Sequence, residues 1–249
     1  MTTAKPSKPT ASSVSILDLS SFKLENSTLE VRYPFALAMW DKSGQLWKSI
    51  QEKWQDLVPV YVEPRKTDFQ VGNNRLQVEL EQARVISVDP ERSLEHFARD
   101  ARDFIKLTTD HLHISVYKRV GFRLVYFKEF KSRADAAAAV FSLKLLRLPD
   151  GKRFEVEEPP VDPMYSLRWE SEKKGVFVNV RAEVRKFDVE PSPEAARLMS
   201  AVHSETSGVV FDVDYYTVAP VETGQMDVAE WIKHAVHVIA RDSKYVFEA

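Results

Sequence analysis

Two histidines spaced two residues apart, in Asp110-His111-Leu112-His113-Ile114-Ser115-Val116, form the most suggestive chemical group in this chain. Alternation along a strand would put His111 and His113 on one face with Asp110 nearby, a spacing that zinc sites use. Two imidazoles make half a site, however, and no HExxH pair or carboxylate-rich partner accompanies them. The simpler expectation is a polar strand face that begins just after a helix. The run His113-Ile114-Ser115-Val116 also matches one copy of the signature of two-histidine phosphoesterases, in which paired histidines serve as acid and base on a phosphate ester. That chemistry needs a second copy, and the residues after His96, His203, His234 and His237 break the pattern. His234 and His237, at i and i+3, read as one flank of the last helix.

A second group is the alternation of charge within strand-like runs: Glu79 and Glu81; Arg168, Glu170 and Glu172; Arg181, Glu183 and Arg185; Asp212 and Asp214. Where helices cover one face of a sheet, such residues line the other face as a lattice of both signs. Triphosphate-tunnel enzymes use a lattice of this kind, with basic residues on phosphates and paired acids on a divalent metal. Their E-x-E-x-K signature is missing here, because Ala83 stands at the lysine position after Glu79 and Glu81. A solvated face held by cross-strand ion pairs is the better expectation. The candidate ligand-binding residues are Arg181, Glu183, Arg185, Arg168, Glu170, Glu79 and Glu81, with His111 and His113 as candidate metal ligands. The aromatic residues Tyr126, Phe127, Phe130, Trp169, Tyr215 and Tyr216 read as core packing, since neither a net basic charge nor an RNA-binding signature supports base stacking.

Other chemistry is excluded outright. The seven glycines are scattered, Gly208 and Gly224 being the nearest pair. Phosphate loops, dinucleotide fingerprints and nucleophile elbows each need closely spaced glycines and so are absent. Without cysteine there is no disulfide, no thiolate metal site and no thiol nucleophile. No cofactor is implied. A formal charge of −2 offers no whole-chain field for nucleic acid or anionic membrane. No apolar run reaches the length of a membrane span, and the polar start Met1 to Ser15 lacks a signal-peptide core, so a cytoplasmic location is expected.

The elements that must position these residues follow from periodicity. Leu29 to Phe35 alternates as a strand that Pro34 stops. Leu46, Trp47, Ile50, Trp54 and Leu57 mark an amphipathic helix. Strands are expected at Val58 to Val62, Asp68 to Val71 and Arg75 to Val88, with a turn at Gly72-Asn73-Asn74. A helix is expected from Ser93 to Leu107. In the second half the expectation is a strand region from His111 to Phe130, bent or bulged at Gly121, and a helix from Arg133 to Leu146. Strands then follow at Met164 to Trp169, Gly175 to Val189 and Val209 to Val218, and a helix from Asp227 to Phe247 closes the chain. The proline-rich segment Leu148 to Pro163 reads as a loop, and Glu190 to Ser207 as an excursion with a short helix around Glu194 to His203.

Both halves therefore read strand, helix, strands, helix. The expected fold is α+β: a curved antiparallel sheet with helices on one face, in two pseudo-repeats at about 27–110 and 111–249. A disordered tail over 1–20 would precede a single domain over 21–249. This arrangement resembles the fold of the TATA-binding protein and of helix-grip proteins, a likeness that carries no function by itself. The blocks Leu29-Glu-Val-Arg-Tyr-Pro-Phe35, Arg119-Val-Gly-Phe-Arg123, Phe211-Asp-Val-Asp-Tyr215 and Trp231-Ile-Lys-His-Ala235 resemble a sporadically distributed family of uncharacterised prokaryotic proteins. That resemblance implies a prokaryotic cytoplasmic protein and no particular activity. The function expected is a non-catalytic binding module whose open sheet face or edge meets a protein partner or a second copy. The alternative is a metal-dependent phosphate-ester or nucleotide enzyme built on the charged face.

Overall fold

A computed structural model describes residues 17–88, 93–145, 155–156, 160–189 and 202–247. The chain is α+β. Nine antiparallel strands form one sheet: β1 (Lys23–Arg32), β2 (Val58–Glu63), β3 (Lys66–Val71), β4 (Asn74–Glu79), β5 (Gln82–Ser87), β7 (Arg119–Phe130), β8 (Met164–Glu170), β9 (Lys174–Val189) and β10 (Val202–Thr217). Their order is β2-β3-β4-β5-β1-β7-β10-β9-β8, so β1 and β7 lie at the centre. The short strands β6 (Val116–Tyr117) and β11 (Val221–Glu222) pair separately. The helices are α1 (Ala38–Lys53), α2 (Leu94–Leu112), α3 (Arg133–Ser142), α4 (Val228–Asp242) and the single turn α5 (Lys244–Phe247).

Period-two alternation divides the sheet into a packed face and an open one. Leu29 and Val31 on β1, Val120, Phe122 and Leu124 on β7, and Phe211 and Val213 on β10 point into the core. They join Met39, Leu46 and Ile50 of α1, Phe97, Phe104 and Ile105 of α2, Ala136 and Val140 of α3, and Ile232 and Ile239 of α4 in one hydrophobic cluster. Caps fix where the helices begin. Ser93 accepts from the His96 amide at 3.3 Å, and Asp227 accepts from the Ala229 and Glu230 amides at 2.9 and 3.1 Å. The break after Asp242 turns α5 so that Phe247 packs on Phe211 and Phe22, with ring centroids 4.7 and 5.5 Å apart.

Several boundaries depart from the periodicity. The helix expected to stop at Leu107 runs on to Leu112, because Thr108 and Leu112 continue its buried stripe, and His113 ends it in the left-handed region at φ 53°. His111 is therefore helical, and the expected strand begins only at Val116. The run from Arg75 to Val88 is two strands with Leu80 and Glu81 in the turn between them. Gly121 carries no register shift: it pairs with Glu30 within a continuous ladder to β1 and is the last β7 residue paired with β10, opposite Tyr216, while the irregularity lies in β1 between Leu24 and Asn26. Strand β10 begins at Val202, seven residues before the expected start; most of the expected excursion helix, 194–201, lies outside the described residues, as does most of the proline-rich loop. Of the expected disordered tail, residues 1–16 lie outside the description, whereas Leu17 is buried and Leu19–Ser21 form a 3-10 turn capped by Asp18.

Candidate functional site

The structure does not place the two histidines on one strand face. On the last turn of α2, His111 Nδ1 donates to the Leu107 carbonyl at 3.0 Å, which leaves Nε2 to accept from the Ser49 hydroxyl at 3.1 Å. His113, the residue that caps this helix, has its Nε2 against the ammonium group of Lys42. One imidazole is committed to hydrogen bonds within the helix pair α1–α2, and the other meets a cation where a metal would need a clear lone pair. The strand alternation that would have put them side by side is absent. Among the described residues no group of three or more histidine or acidic side chains is placed to hold a metal ion.

The charged lattice does form, and it is larger than the predicted residues. On the open face Glu30 is a hub: it accepts from Arg32 Nε and Arg84 Nε at 2.7 Å each and from Arg119 Nη1 at 3.3 Å. Arg119 also donates to Asp214 at 2.5 Å, and Arg123 grips Asp212 in a bidentate pair at 2.7 and 2.5 Å. Arg181 and Arg185 donate to Glu183 at 2.9 and 2.8 Å, and Arg185 reaches Glu25 on β1 at 2.6 Å. Towards one edge, Glu79 meets Lys66 at 3.1 Å and accepts from Gln82 at 2.8 Å. Towards the other, Glu170 accepts from the Tyr216 hydroxyl at 2.5 Å and lies 3.9 Å from Arg168. Glu81 stands apart, exposed in the β4–β5 turn, and Glu172 is exposed beyond the end of β8.

Glycines let this lattice span strands. A Cβ on Gly175 would lie 2.6 Å from Cε2 of Tyr216, whose ring crosses β9 there to reach Glu170 on β8. A Cβ on Gly121 would lie 2.5 Å from the Arg119 guanidinium, which stacks on the same Tyr216 ring at 4.6 Å. Gly208 makes room for the Phe127 ring, over which the Arg185 guanidinium lies at 4.0 Å on its way to Glu25. The expected bulge at Gly121 is thus replaced by a packing role.

The electrostatics follow from this pairing. Burial alone would raise the pKa values of Glu30, Glu79 and Glu183, yet their basic and amide partners hold all three below the ordinary glutamate value: chiefly Arg84 for Glu30, Gln82 and Lys66 for Glu79, and Arg185 and Arg181 for Glu183. At Asp214 burial wins over Arg119, and the pKa is raised. Arg84, Arg119, Arg123, Arg181 and Arg185 are each engaged by a carboxylate of the same face. Sequence reasoning missed Glu25, Glu30, Arg84, Arg119 and Arg123, although Glu30 and Arg32 carry the same i, i+2 signal and Arg119 and Arg123, at i and i+4, fall on the same strand face.

Charge is less balanced at one margin of the face. An open groove of about 690 Å³ at the ends of β1 and β7 and beside the β2–β3 turn is lined by Arg32, Arg65, Lys66, Lys118 and Arg119, against Glu79 and Glu81. Arg32 and Arg119 are direct cross-strand neighbours. Among the described residues no carboxylate pairs with Lys118 or Arg65; Arg65 instead lies over the Trp40 ring at 4.7 Å. Beside these cations three apolar side chains face solvent, Phe35 at 52% exposure, Leu37 at 67% and Trp40 at 46%.

No protein-family model matches the chain, and no curated protein matches it. No helix among the described residues is long and apolar enough to cross a membrane.

Proposed function

We propose that the protein is a non-catalytic binding module that docks an acidic, apolar-bearing segment of a protein partner on the groove between β1, β7 and the β2–β3 turn. One observation carries this reading: clustered cations, two of them without a carboxylate partner among the described residues, share a groove with the exposed Phe35 and, through Arg65, meet the exposed Trp40. Like charges opposite one another and large apolar groups in water both work against the folded, dispersed state, and a partner of opposite charge with its own apolar side chains relieves both. The self-neutralised lattice supports the non-catalytic part. Its interior carboxylates Glu30, Glu79, Glu170, Glu183, Asp212 and Asp214 are committed to arginine, lysine, amide or tyrosine partners, which leaves none of these six free as a general acid or base.

The test uses a fluorescein-labelled peptide of alternating glutamate and phenylalanine, read by anisotropy, with a lysine-phenylalanine peptide as comparator. The acidic peptide is expected to bind in a salt-dependent manner, and Arg65→Glu with Lys118→Glu to weaken it at least tenfold. Equal binding of both peptides, or no loss in the double variant, overturns the reading. A rise in melting temperature with nucleotide and divalent metal, but not with the peptide, would favour the phosphate-ester alternative instead.

A duplicated origin for the two halves belongs to the same proposal. Outward from the centre, β5, β4, β3 and β2 follow β1, while β10, β9 and β8 follow β7, and in each half a helix comes directly after the central strand. That order is what supports both the pseudo-repeat and the likeness to TATA-binding-protein-like folds.

A further inference from the structure

A cavity of about 360 Å³ opens on the helix-covered side of the sheet, between the α4–α5 turn and strands β8, β9 and β10. Its floor is Val178, Phe211, Val213, Ile239 and Val246, all buried. Two aromatic rings stand at its border, Trp169 at 52% exposure and Tyr245 at 69%. Nothing in the core needs these rings to be exposed, and the space beneath them is within the range in which small-molecule pockets are found, about 300–1,000 Å³.

The lining also decides what kind of molecule fits. Of its two other polar residues, the Ser243 hydroxyl donates to the Ala240 carbonyl at 3.2 Å, and Asp242 is held by Arg241 at 2.7 Å through both oxygens. No donor or acceptor converges on the floor, so a polar or charged group placed there would lose its water without replacement. We infer that this cavity is a binding site for a small uncharged apolar molecule, an aliphatic chain or a fused aromatic ring, whose body lies on the valine and phenylalanine floor between Trp169 and Tyr245. The site shares no residue with the basic groove and stands or falls separately from it.

Direct titration tests the inference, with hexanol, octanol and decanol as aliphatic probes, naphthalene as the aromatic one and decanoate as a charged comparator. Tryptophan fluorescence is expected to shift saturably, with each added methylene tightening binding by about fourfold. Decanoate is expected to bind more weakly than decanol because no donor on the floor replaces the water that its carboxylate would lose. Trp169→Phe should remove most of the fluorescence change but keep the calorimetric heat, and Val238→Trp, from the half-buried side of α4, should block binding. If Val238→Trp fails to fold, competition between decanol and naphthalene for one site replaces it. The inference is overturned by the absence of saturable binding of any neutral probe, by affinity that does not grow with chain length, or by a dimer in light scattering that Trp169→Ala abolishes, which would assign the cavity to a side chain of a second copy.

Discussion

Glu30→Gln isolates the hub of the lattice with almost no change in shape. The carboxylate of Glu30 is only 14% exposed and serves three guanidinium groups, of which Arg119 and Arg84 are 22% and 32% exposed and Arg32 is 54% exposed. Hydrogen bonds involving a charged group contribute about 1.5–3 kcal/mol each, while exposed ion pairs contribute about 0–1. The glutamine carbonyl still accepts from one guanidinium, so one shielded charge-assisted bond and the weak Arg32 contact are lost. The expected destabilisation is about 2–3 kcal/mol, which for a chain of this size lowers the melting temperature by roughly 4–12 °C. Urea unfolding at pH 7 measures it, with Lys48→Met as control: that exposed Lys48–Glu52 pair, 3.9 Å apart, should cost no more than about 0.5 kcal/mol. The sign with pH is fixed as well. Glu30 has a folded pKa below its unfolded one, so its contribution is complete above the unfolded value and is lost as pH falls through the folded one. The difference between wild type and Glu30→Gln should therefore shrink in acid. A loss under about 1 kcal/mol, or a difference that stays constant down to pH 3, would refute the account of Glu30 as a shielded hub.

The glycines give a paired prediction: Gly208→Ala should destabilise by about 2 kcal/mol or more, because its Cβ meets the Phe127 ring and lies 2.6 Å from the Lys128 carbonyl oxygen, which cannot move cheaply. Gly44→Ala, in the exposed interior of α1 with nothing within 4 Å of its Cβ, should stabilise by about 0.5–1 kcal/mol; thermal melts of both variants check the opposite signs. At Asp214 the folded pKa is raised, so its protonation favours the folded state as pH falls and partly offsets what Glu30, Glu79 and Glu183 lose. Asp214→Asn removes that offset, and its stability should fall more steeply than wild type as pH falls from neutral towards the ordinary aspartate range; urea midpoints that run parallel to wild type over this descent count against the assignment.

The sheet and its charged face were legible because period-two alternation survives in strands with one open face, and Arg181, Glu183 and Arg185 sit where alternation places them. The same alternation misled at His111 and His113. Leu112 and Ile114 fit a strand pattern, but Leu112 also completes the i, i+4 stripe from Thr108, and a helix already paired along its length propagates more easily than a strand begins. Glu81 failed for a different reason: one strand-like run hid a two-residue turn without glycine or proline. The basic groove was invisible because Arg32 ends β1, Arg65 lies in the β2–β3 turn and Lys118 lies between β6 and β7, and only sheet order brings them together.

The distribution of glycine and arginine suggests where recognition can and cannot occur. A wide open sheet face must be polar to stay in water, and here that polarity is met by long side chains that cross strands: Arg185 over Phe127 at Gly208, Tyr216 over Gly175, Arg119 over Gly121. Each crossing removes rotamer freedom, and those of Arg185 and Arg119 also commit a charge to a carboxylate of the face. A ligand arriving at the centre of this face would have to break the Arg119–Asp214 pair, or draw Arg123 away from the buried carboxylate of Asp212, before it gained a contact, and a shielded carboxylate left unpaired is destabilising. At the groove the balance runs the other way. Among the described residues Lys118 and Arg65 have no carboxylate to give up, and Phe35, Leu37 and Trp40 are exposed, so a partner there displaces at most the Arg65–Trp40 contact. Charge reversal at Arg65 and Lys118 should thus weaken a partner without disturbing the fold, whereas reversal at Arg123 should disturb the fold first.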